Sequence, residues 1–302
     1  MICAVRNFTH GQVLDNTLRI HFMTLPDPPA DVLHAVQHAL AEDIGSGDVT
    51  AALIPETATA RAVVIAREAA VLCGTAWFNA AFNQLDSRIA IDWQHQDGDD
   101  IAANARLCVL RGPARPMLTG ERTALNFLQT LSGTATLARR YVQAVAGTDA
   151  RVLDTRKTIP GLRSAQKYAT AVGGCMNHRR GLYDGILIKE NHIAASGSIR
   201  EAIACARQRA PHLPVEVEVE NLGELHQALA EGAEIVLLDN FAIDALREAV
   251  DINRGRAKLE ASGGISLDNI LAVAGTGVDF ISVGALTKDV RAIDLSMRFE
   301  IR

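Results

Sequence analysis

Cationic and acidic side chains recur in this chain directly after short apolar runs, and their types suit chemistry on anions. The run Val152–Asp154 leads into Thr155, Arg156 and Lys157, and Ile186–Ile188 leads into Lys189, Glu190, Asn191 and His192. Val215–Val219 carries Glu216 and Glu218 and is followed by Glu220, and Ile235–Asp239 ends in Asp239 and Asn240. Lys258–Ala261 leads into Ser262-Gly263-Gly264, and Phe280–Val283 into Gly284-Ala285. Arginine forks match carboxylate and phosphate oxygens, and lysine supplies a point charge. Glycines after a strand let backbone N–H groups approach a phosphate, although either turn alone reads equally as an ordinary tight connection. Glu218 and Asp239 either hold Mg²⁺ shared with phosphate oxygens or accept hydrogen bonds from ribose hydroxyls.

A loop before the second run, Asn177-His178-Arg179-Arg180-Gly181, adds two candidates. His178 is a general acid or base, a donor to a carboxylate, or a loop bystander. Arg179 suits bidentate recognition of an anion, against the default of a surface arginine. His192 either faces the same site or caps the helix that follows.

The elements that must position these residues alternate. Between the six runs lie helical patterns near Ser164–Val172, Ile199–Ala210, Leu222–Glu231, Ile243–Val250 and Leu267–Ala274. Repeated βα units imply a parallel sheet with right-handed crossovers, and the C-terminal strand ends of a β/α barrel converge on one mouth. Six strands fall short of a closed eight-stranded barrel. An incomplete barrel is therefore expected, with a doubly wound sheet as the second choice. Strict alternation in Val215–Glu220 puts the glutamates on one face and the valines on the other. The expectation is valines under helices and glutamates in the barrel, met by Arg156, Lys157 or Lys189; the alternative is an edge strand with a solvated acidic face.

The first half has a different rhythm. Asp31 is a candidate N-cap for a helix carrying Val32, Val36, Leu40 and Ile44. Strand-like runs follow at Ala60–Ala66, Ala69–Cys73, Ile89–Trp93 and Leu107–Leu110, with a helix through Trp77, Phe78, Ala81, Phe82 and Leu85. A long helix is expected from Glu121 to about Val145.

Composition bounds the function. The 302 residues are 48 % hydrophobic with a net charge of −5, a globular balance without the basic field that nucleic acid requires. No run of roughly 18 apolar residues suggests a membrane span, and residues 1–25 do not read as a signal peptide. Five scattered cysteines without a CxxC pair read as reduced thiols of a cytoplasmic protein, and no Cys/His spacing suggests zinc.

From about Ala30 onward the chain resembles the quinolinate phosphoribosyltransferase family, through EDIGSGDVT, ERTALNFLQTLSGTAT, DTRKTIPGLRSAQKYA, NHRRGL, LIKENH, VEVEVENL, LLDNF, SGGI and DFISVGALTK in that order. The resemblance implies an N-terminal α/β sandwich domain and an incomplete parallel β/α barrel of the type II phosphoribosyltransferase kind. The corresponding division is an extension at 1–25, a sandwich at 26–130 to which 290–302 return, and a barrel at 131–289. It implies transfer of phosphoribosyl from phosphoribosyl pyrophosphate to quinolinate with decarboxylation, using Mg²⁺, in NAD biosynthesis. It also implies a homodimer in which Arg122 reaches the partner's mouth. Arg156, Lys157, His178, Arg179 and Lys189 then form the rest of the cationic pocket, with Thr155 beside them. Glu218 and Asp239 serve the ribose and the metal, with Lys157 as the third catalytic residue. Ser262, Gly263, Gly264, Val283, Gly284 and Ala285 hold the 5′-phosphate. The alternatives are a related enzyme with another heteroaromatic acceptor, or a non-catalytic barrel that binds phosphate ligands. Two residues depart from the pattern: Ile159 replaces a more usual threonine, and Cys175 a glycine, which would be strained if that glycine needs a positive φ.

Overall fold

The computed structural model describes residues 25–302; apart from Leu25, the N-terminal extension lies outside the described residues. The first unit begins with α1 (Val32–Ile44), followed by β1 (Thr59–Ala66), β2 (Ala70–Val71), α2 (Thr75–Leu85), β3 (Ala90–Trp93), β4 (Asp100–Ile101) and β5 (Arg106–Pro113). Asp31 occupies the N-cap position of α1, but its side chain makes no cap bond. In the EDIGSGDVT segment the Asp48 carboxylate accepts from the Thr50 and Ala51 N–H groups and from the Thr119 hydroxyl, which anchors the segment to the next helix.

That helix, α3, runs from Ala114 to Ala144. It starts seven residues before the expected Glu121, because Pro113 and Pro116 fall at and just after its N-cap, where a missing N–H breaks no helical bond. Its N-terminal part packs Met117, Leu128 and Leu131 into the core of the first unit, and Ala138 and Tyr141 enter the second core. At 1.5 Å per residue, its 31 residues make a strut of about 46 Å shared by the two units.

The second unit contains β6 (Arg151–Leu153), α4 (Arg163–Val172), β7 (Ile186–Ile188), α5 (Glu190–Ser196), α6 (Ile199–Arg209), β8 (Val215–Val219), α7 (Leu222–Ala230), β9 (Ile235–Asp239), α8 (Ile243–Asn253), β10 (Lys258–Ser262), α9 (Ile270–Ala274), β11 (Phe280–Ser282) and α10 (Ala285–Lys288). Its six strands pair in the order β6-β11-β10-β9-β8-β7, all parallel. An isolated parallel bridge joins Leu153 to Met176, so a rudimentary seventh strand flanks β6 on its other side. This is a barrel left open between Met176 and β7. The expected β8 alternation holds: Val215, Val217 and Val219 are fully buried under the helices. Because β8 sits between β7 and β9, the edge-strand alternative is excluded. Glu220 lies past the end of β8 and is exposed, so only Glu216 and Glu218 face the barrel from this strand.

After α10 the chain returns as β12 (Leu295–Ile301), antiparallel to β1, completing a sheet of order β12-β1-β5-β3. It crosses α3 at Gly133, where a Cβ would stand 2.1 Å from the Arg291 carbonyl oxygen. Only glycine permits that approach, and Ile293 N–H then bonds the Gln129 carbonyl. A second tie is Asp97, which accepts from the Gly74 and Thr75 N–H groups at the start of α2 and from the Tyr168 hydroxyl of α4.

Candidate active site

The strand ends of the second unit build one mouth, and the returning loops furnish it. Lys189, just past β7, pairs with Glu218 on β8. Asp239, at the end of β9, accepts from the Asn240 amide at 2.8 Å. Asn240 itself is left-handed, with φ 57°, and its N–H bonds the Ser262 carbonyl. Gly263 and Gly264 follow with φ of 92° and 62°. Gly263 lies so close to Asn240 that a Cβ would meet its Oδ1 at 2.1 Å, whereas Gly264 faces open space. On the adjacent strand, Val283 N–H bonds the Leu153 carbonyl and Gly284 opens α10.

The loop after β6 reaches the same place. Lys157 N–H bonds the Thr155 hydroxyl, and the Lys157 carbonyl accepts from Thr287 on α10. The Lys157 side chain lies over Gly284, its Cδ 3.0 Å from where a Cβ would be. Ile159 N–H bonds the Gln166 side chain, a backbone contact that does not depend on the side chain at this position, and nothing in the structure explains the departure from threonine. Arg156 is half-buried, and its Nε has no hydrogen-bond partner among the described residues. Burial and the neighbouring Arg156 charge lower the pKa of Arg179, whose Nη1 donates to the Gly185 carbonyl. The charges of Glu216 and Asp184 offset this in part, but neither guanidinium is in an ion pair among the described residues, and two neighbouring cations of this kind favour an anion between them.

Two buried polar clusters support this loop, and both meet at His178. In the first, Asp154 accepts from Lys167 Nζ at 2.5 Å, Thr170 Oγ1 at 2.9 Å, Asn177 Nδ2 at 2.8 Å and His178 N–H at 2.9 Å. Lys167 also donates to the His178 carbonyl at 2.9 Å. Burial lowers the Lys167 pKa against the attraction of Asp154. In the second cluster, His178 Nε2 lies 3.0 Å from Glu216 Oε2 and 3.8 Å from Glu260 Oε2. Burial opposes charge on His178, but the Glu216 hydrogen bond and the charges of Glu216 and Glu260 outweigh it and raise its pKa. Burial and the Glu216 carboxylate push the Glu260 carboxyl up to about 8. The three donor atoms lie within 4.8 Å of one another, a spacing a metal would need, but the hydrogen bond between His178 and Glu216 and the contact between the two carboxyls already occupy it.

Several expectations change here. Glu216 meets His178 rather than Arg156 or Lys157, because the Asp154 cluster holds the loop over β8 and β10. His178 is therefore no bystander. His192 caps α5, its Nδ1 accepting from the Lys189 N–H at 3.0 Å. Cys175 is not strained: the positive φ falls on Gly174, and the buried Cys175 thiol lies 3.8 Å from the Ala138 carbonyl. Arg122 is exposed on α3, in the first unit. Sequence reasoning missed Lys167 and Glu260. A lysine within a helix carries no signal of its own, but applying the β8 alternation to Lys258–Ser262 puts Glu260 on the same face as Ser262. Beside the mouth, a cavity of about 360 Å³ between β8 and α5–α7 is lined by Glu190, Glu218, Glu220 and Glu224, so anionic ligands belong to the cationic side. Among the described residues no helix is long and apolar enough to cross a membrane.

Comparison with known proteins follows the same division. The model of the quinolinate phosphoribosyl transferase N-terminal domain matches residues 48–132, and that of the C-terminal domain matches residues 134–298. The chain is 43% identical over 263 residues to the probable nicotinate-nucleotide pyrophosphorylase [carboxylating] of Bacillus subtilis (strain 168), covering 87% of this chain and 91% of that protein. It is 43% identical over 272 residues to the nicotinate-nucleotide pyrophosphorylase [carboxylating] of Mycobacterium leprae (strain TN), covering 87% and 95%. The solved structure of the nicotinate-nucleotide pyrophosphorylase from Francisella tularensis superposes with a TM-score of 0.87 at 50% identity, over 90% of this chain and 97% of that one. With both domains matched and these identities over most of its length, the chain belongs to the quinolinate phosphoribosyl transferase family.

Proposed function

We propose that this chain transfers phosphoribosyl from phosphoribosyl pyrophosphate to quinolinate, releasing pyrophosphate and CO₂ and giving nicotinate mononucleotide for NAD biosynthesis. The observation that carries this reading at the level of the site is the closeness of the Arg156 and Arg179 charges, neither of them in an ion pair among the described residues and Arg156 Nε unpartnered there, next to carboxylate-bearing strand ends. Arg156, His178, Arg179 and Lys189 take the two pyridine carboxylates. Glu218 and Asp239 orient the ribose, and Lys157 faces the leaving pyrophosphate. Thr155 shapes the Lys157 loop. Backbone groups of Ser262–Gly264 and Val283–Ala285 receive the 5′-phosphate on adjacent strands.

The residues act by orientation and charge. The pyridine nitrogen attacks the anomeric carbon as the bond to pyrophosphate breaks, through an oxocarbenium-like state by analogy with glycoside chemistry. As CO₂ departs, its bonding electron pair stays on C2, stabilised by the adjacent positive ring nitrogen, and then bonds a solvent proton. No protein nucleophile is required. Preorganised cations and aligned reactants lower both barriers. Glu218, shared with Lys189, and Asp239 offer hard oxygens that suit Mg²⁺ held by one or two carboxylates and completed by substrate oxygens. When bound, Mg²⁺ neutralises charge on the leaving pyrophosphate.

The mouth is completed in a homodimer: the unit at 26–130, with 290–302, covers the partner's barrel at 131–289, and Arg122 enters across the interface. The free thiols Cys73, Cys108, Cys175 and Cys205 accord with a cytoplasmic site of action. The test is direct: incubate the protein with quinolinate, phosphoribosyl pyrophosphate and Mg²⁺ and measure nicotinate mononucleotide and CO₂. Product from nicotinate in place of quinolinate would shift the reading to the related acceptor.

A further inference from the structure

The pairing of Glu216 with Glu260 is not explained by the catalytic assignments above. Both side chains are buried, Glu260 at 2% exposure and Glu216 at 6%. Each keeps one oxygen, Oε1, without a hydrogen-bond donor among the described residues. The two Oε2 atoms crowd one nitrogen, His178 Nε2, at 3.0 and 3.8 Å, with carboxylate oxygens of the two residues within 4.8 Å of each other. Two ionised carboxylates in contact, out of water, are mutually repulsive; one proton between them removes the repulsion and supplies the missing donor. Glu260 is the more deeply buried of the two and is flanked in register by Leu237 and Phe280, so it is the poorer place for a charge.

We propose that Glu260 is a positioning residue of the acceptor site: as the neutral acid it donates its proton to Glu216, which holds the Nε2–H of His178, so that the floor of the mouth presents no net negative charge to the incoming dicarboxylate. The inference rests on the placement of His178 against the acceptor. With Nε2 committed to Glu216, Nδ1 is the nitrogen left for a substrate carboxylate, and it donates only from the imidazolium. One carboxylate balances that imidazolium; a second would set a negative charge beneath an anionic ligand.

The groups that face Glu260 fit this arrangement. From β8 come Glu216, and Glu218 already paired with Lys189. Asp239 closes β9, and Ser282 on β11 donates to Glu260. From the loops come His178, with Asp154 and Lys167 behind it, and the Arg156 and Arg179 pair. Burial beside Glu216 holds the Glu260 proton up to about pH 8, so it is present at neutral pH and lost above that.

The test is the pH dependence of KM for quinolinate in the intact enzyme and in Glu260→Gln. In the wild type KM rises about three- to tenfold between about pH 7 and pH 9.5, with the change in KM rather than kcat. Glu260→Gln, whose amide cannot ionise, abolishes the rise. If the rise reflects His178 losing its own proton, it persists in Glu260→Gln or moves to lower pH, and the proposal is overturned; a wild type with no rise overturns it too. Difference infrared spectroscopy across the same range gives a second readout. A protonated-carboxyl band lost at alkaline pH and missing from Glu260→Gln supports the proposal, and its absence from the wild type sinks it. His178→Asn separates the two layers. An unchanged KM for quinolinate in His178→Asn breaks the placement of His178, whereas a raised KM alongside a persistent alkaline rise in Glu260→Gln breaks only the role of Glu260.

Discussion

Two buried carboxylate clusters meet at one residue, His178, and they are built on opposite terms. Asp154 accepts four hydrogen bonds and faces a buried ammonium. Glu216 and Glu260 share one imidazole and retain two unpartnered oxygens. The first cluster takes the backbone of His178 and the second its side chain. A saturated network fixes where a loop lies; an unsaturated one leaves electrostatic tension beside the ligand. The same loop is thus rigid in position and tunable in charge.

The largest effect expected from breaking this contrast is on the saturated side. Lys167→Met leaves Asp154 buried without its cation and should cost about 3–5 kcal/mol of stability, read from denaturant unfolding. If the loss is below about 1 kcal/mol, Asp154 is held by its neutral donors and the ion pair is incidental. Next come the cations of the mouth. Lys157→Ala and Arg122→Ala should each lower kcat/KM by at least about 10²-fold while the unfolding midpoint stays in place. Mixing those two inactive variants should restore part of the activity after subunit exchange, since the proposed shared mouth would leave one hybrid intact; no recovery argues against a shared site.

Smaller effects sharpen the comparison. Thr170→Val removes one of the four bonds to Asp154 and should cost about 1 kcal/mol in stability without changing KM for quinolinate. The pH dependence of stability separates the clusters by sign. Glu260 and His178 both have raised pKa values, so the folded state binds more protons than the unfolded state. Their contribution is present at low pH and is lost as pH rises, for Glu260 between its ordinary range and about 8. Depressed carboxylates such as Asp48 and Asp184 act oppositely, and their contribution disappears on acidification. Thermal midpoints should therefore decline gently from about pH 5 to pH 8, and the decline should flatten in Glu260→Gln.

Much of this site was legible because strand alternation and strand-end position are local. The alternation in Val215–Glu220 placed Glu216 and Glu218 inward correctly but did not show that the strand ends before Glu220. The two glycine turns fall at the ends of adjacent strands, as their positions after apolar runs indicated. The same rule reads Glu260 from Lys258–Ser262, but one glutamate among apolar neighbours is a weaker signal than three in strict alternation. Lys167 was beyond reach: on α4 it looks like any solvated helical lysine, and only the packing of α4 against α3 and α10 and its ion pair with Asp154 bury it. The start of α3 is not legible locally, because Pro113 at its N-cap and Pro116 in its first turn read as breakers rather than as tolerated N-terminal residues.

By itself the sequence determined the alternating βα rhythm, the inward faces of the strands and the residues at their ends, since periodicities of two and 3.6 are written into consecutive positions. The tertiary structure alone decided the partners. It spent Asp154 on holding a loop, brought His178 over Glu216 and Glu260, set Arg156 beside Arg179 with neither in an ion pair among the described residues, and exposed Arg122 on the strut between the units. Hydrogen bonding and desolvation act through space, between residues tens of positions apart, and no local pattern records which of them will meet.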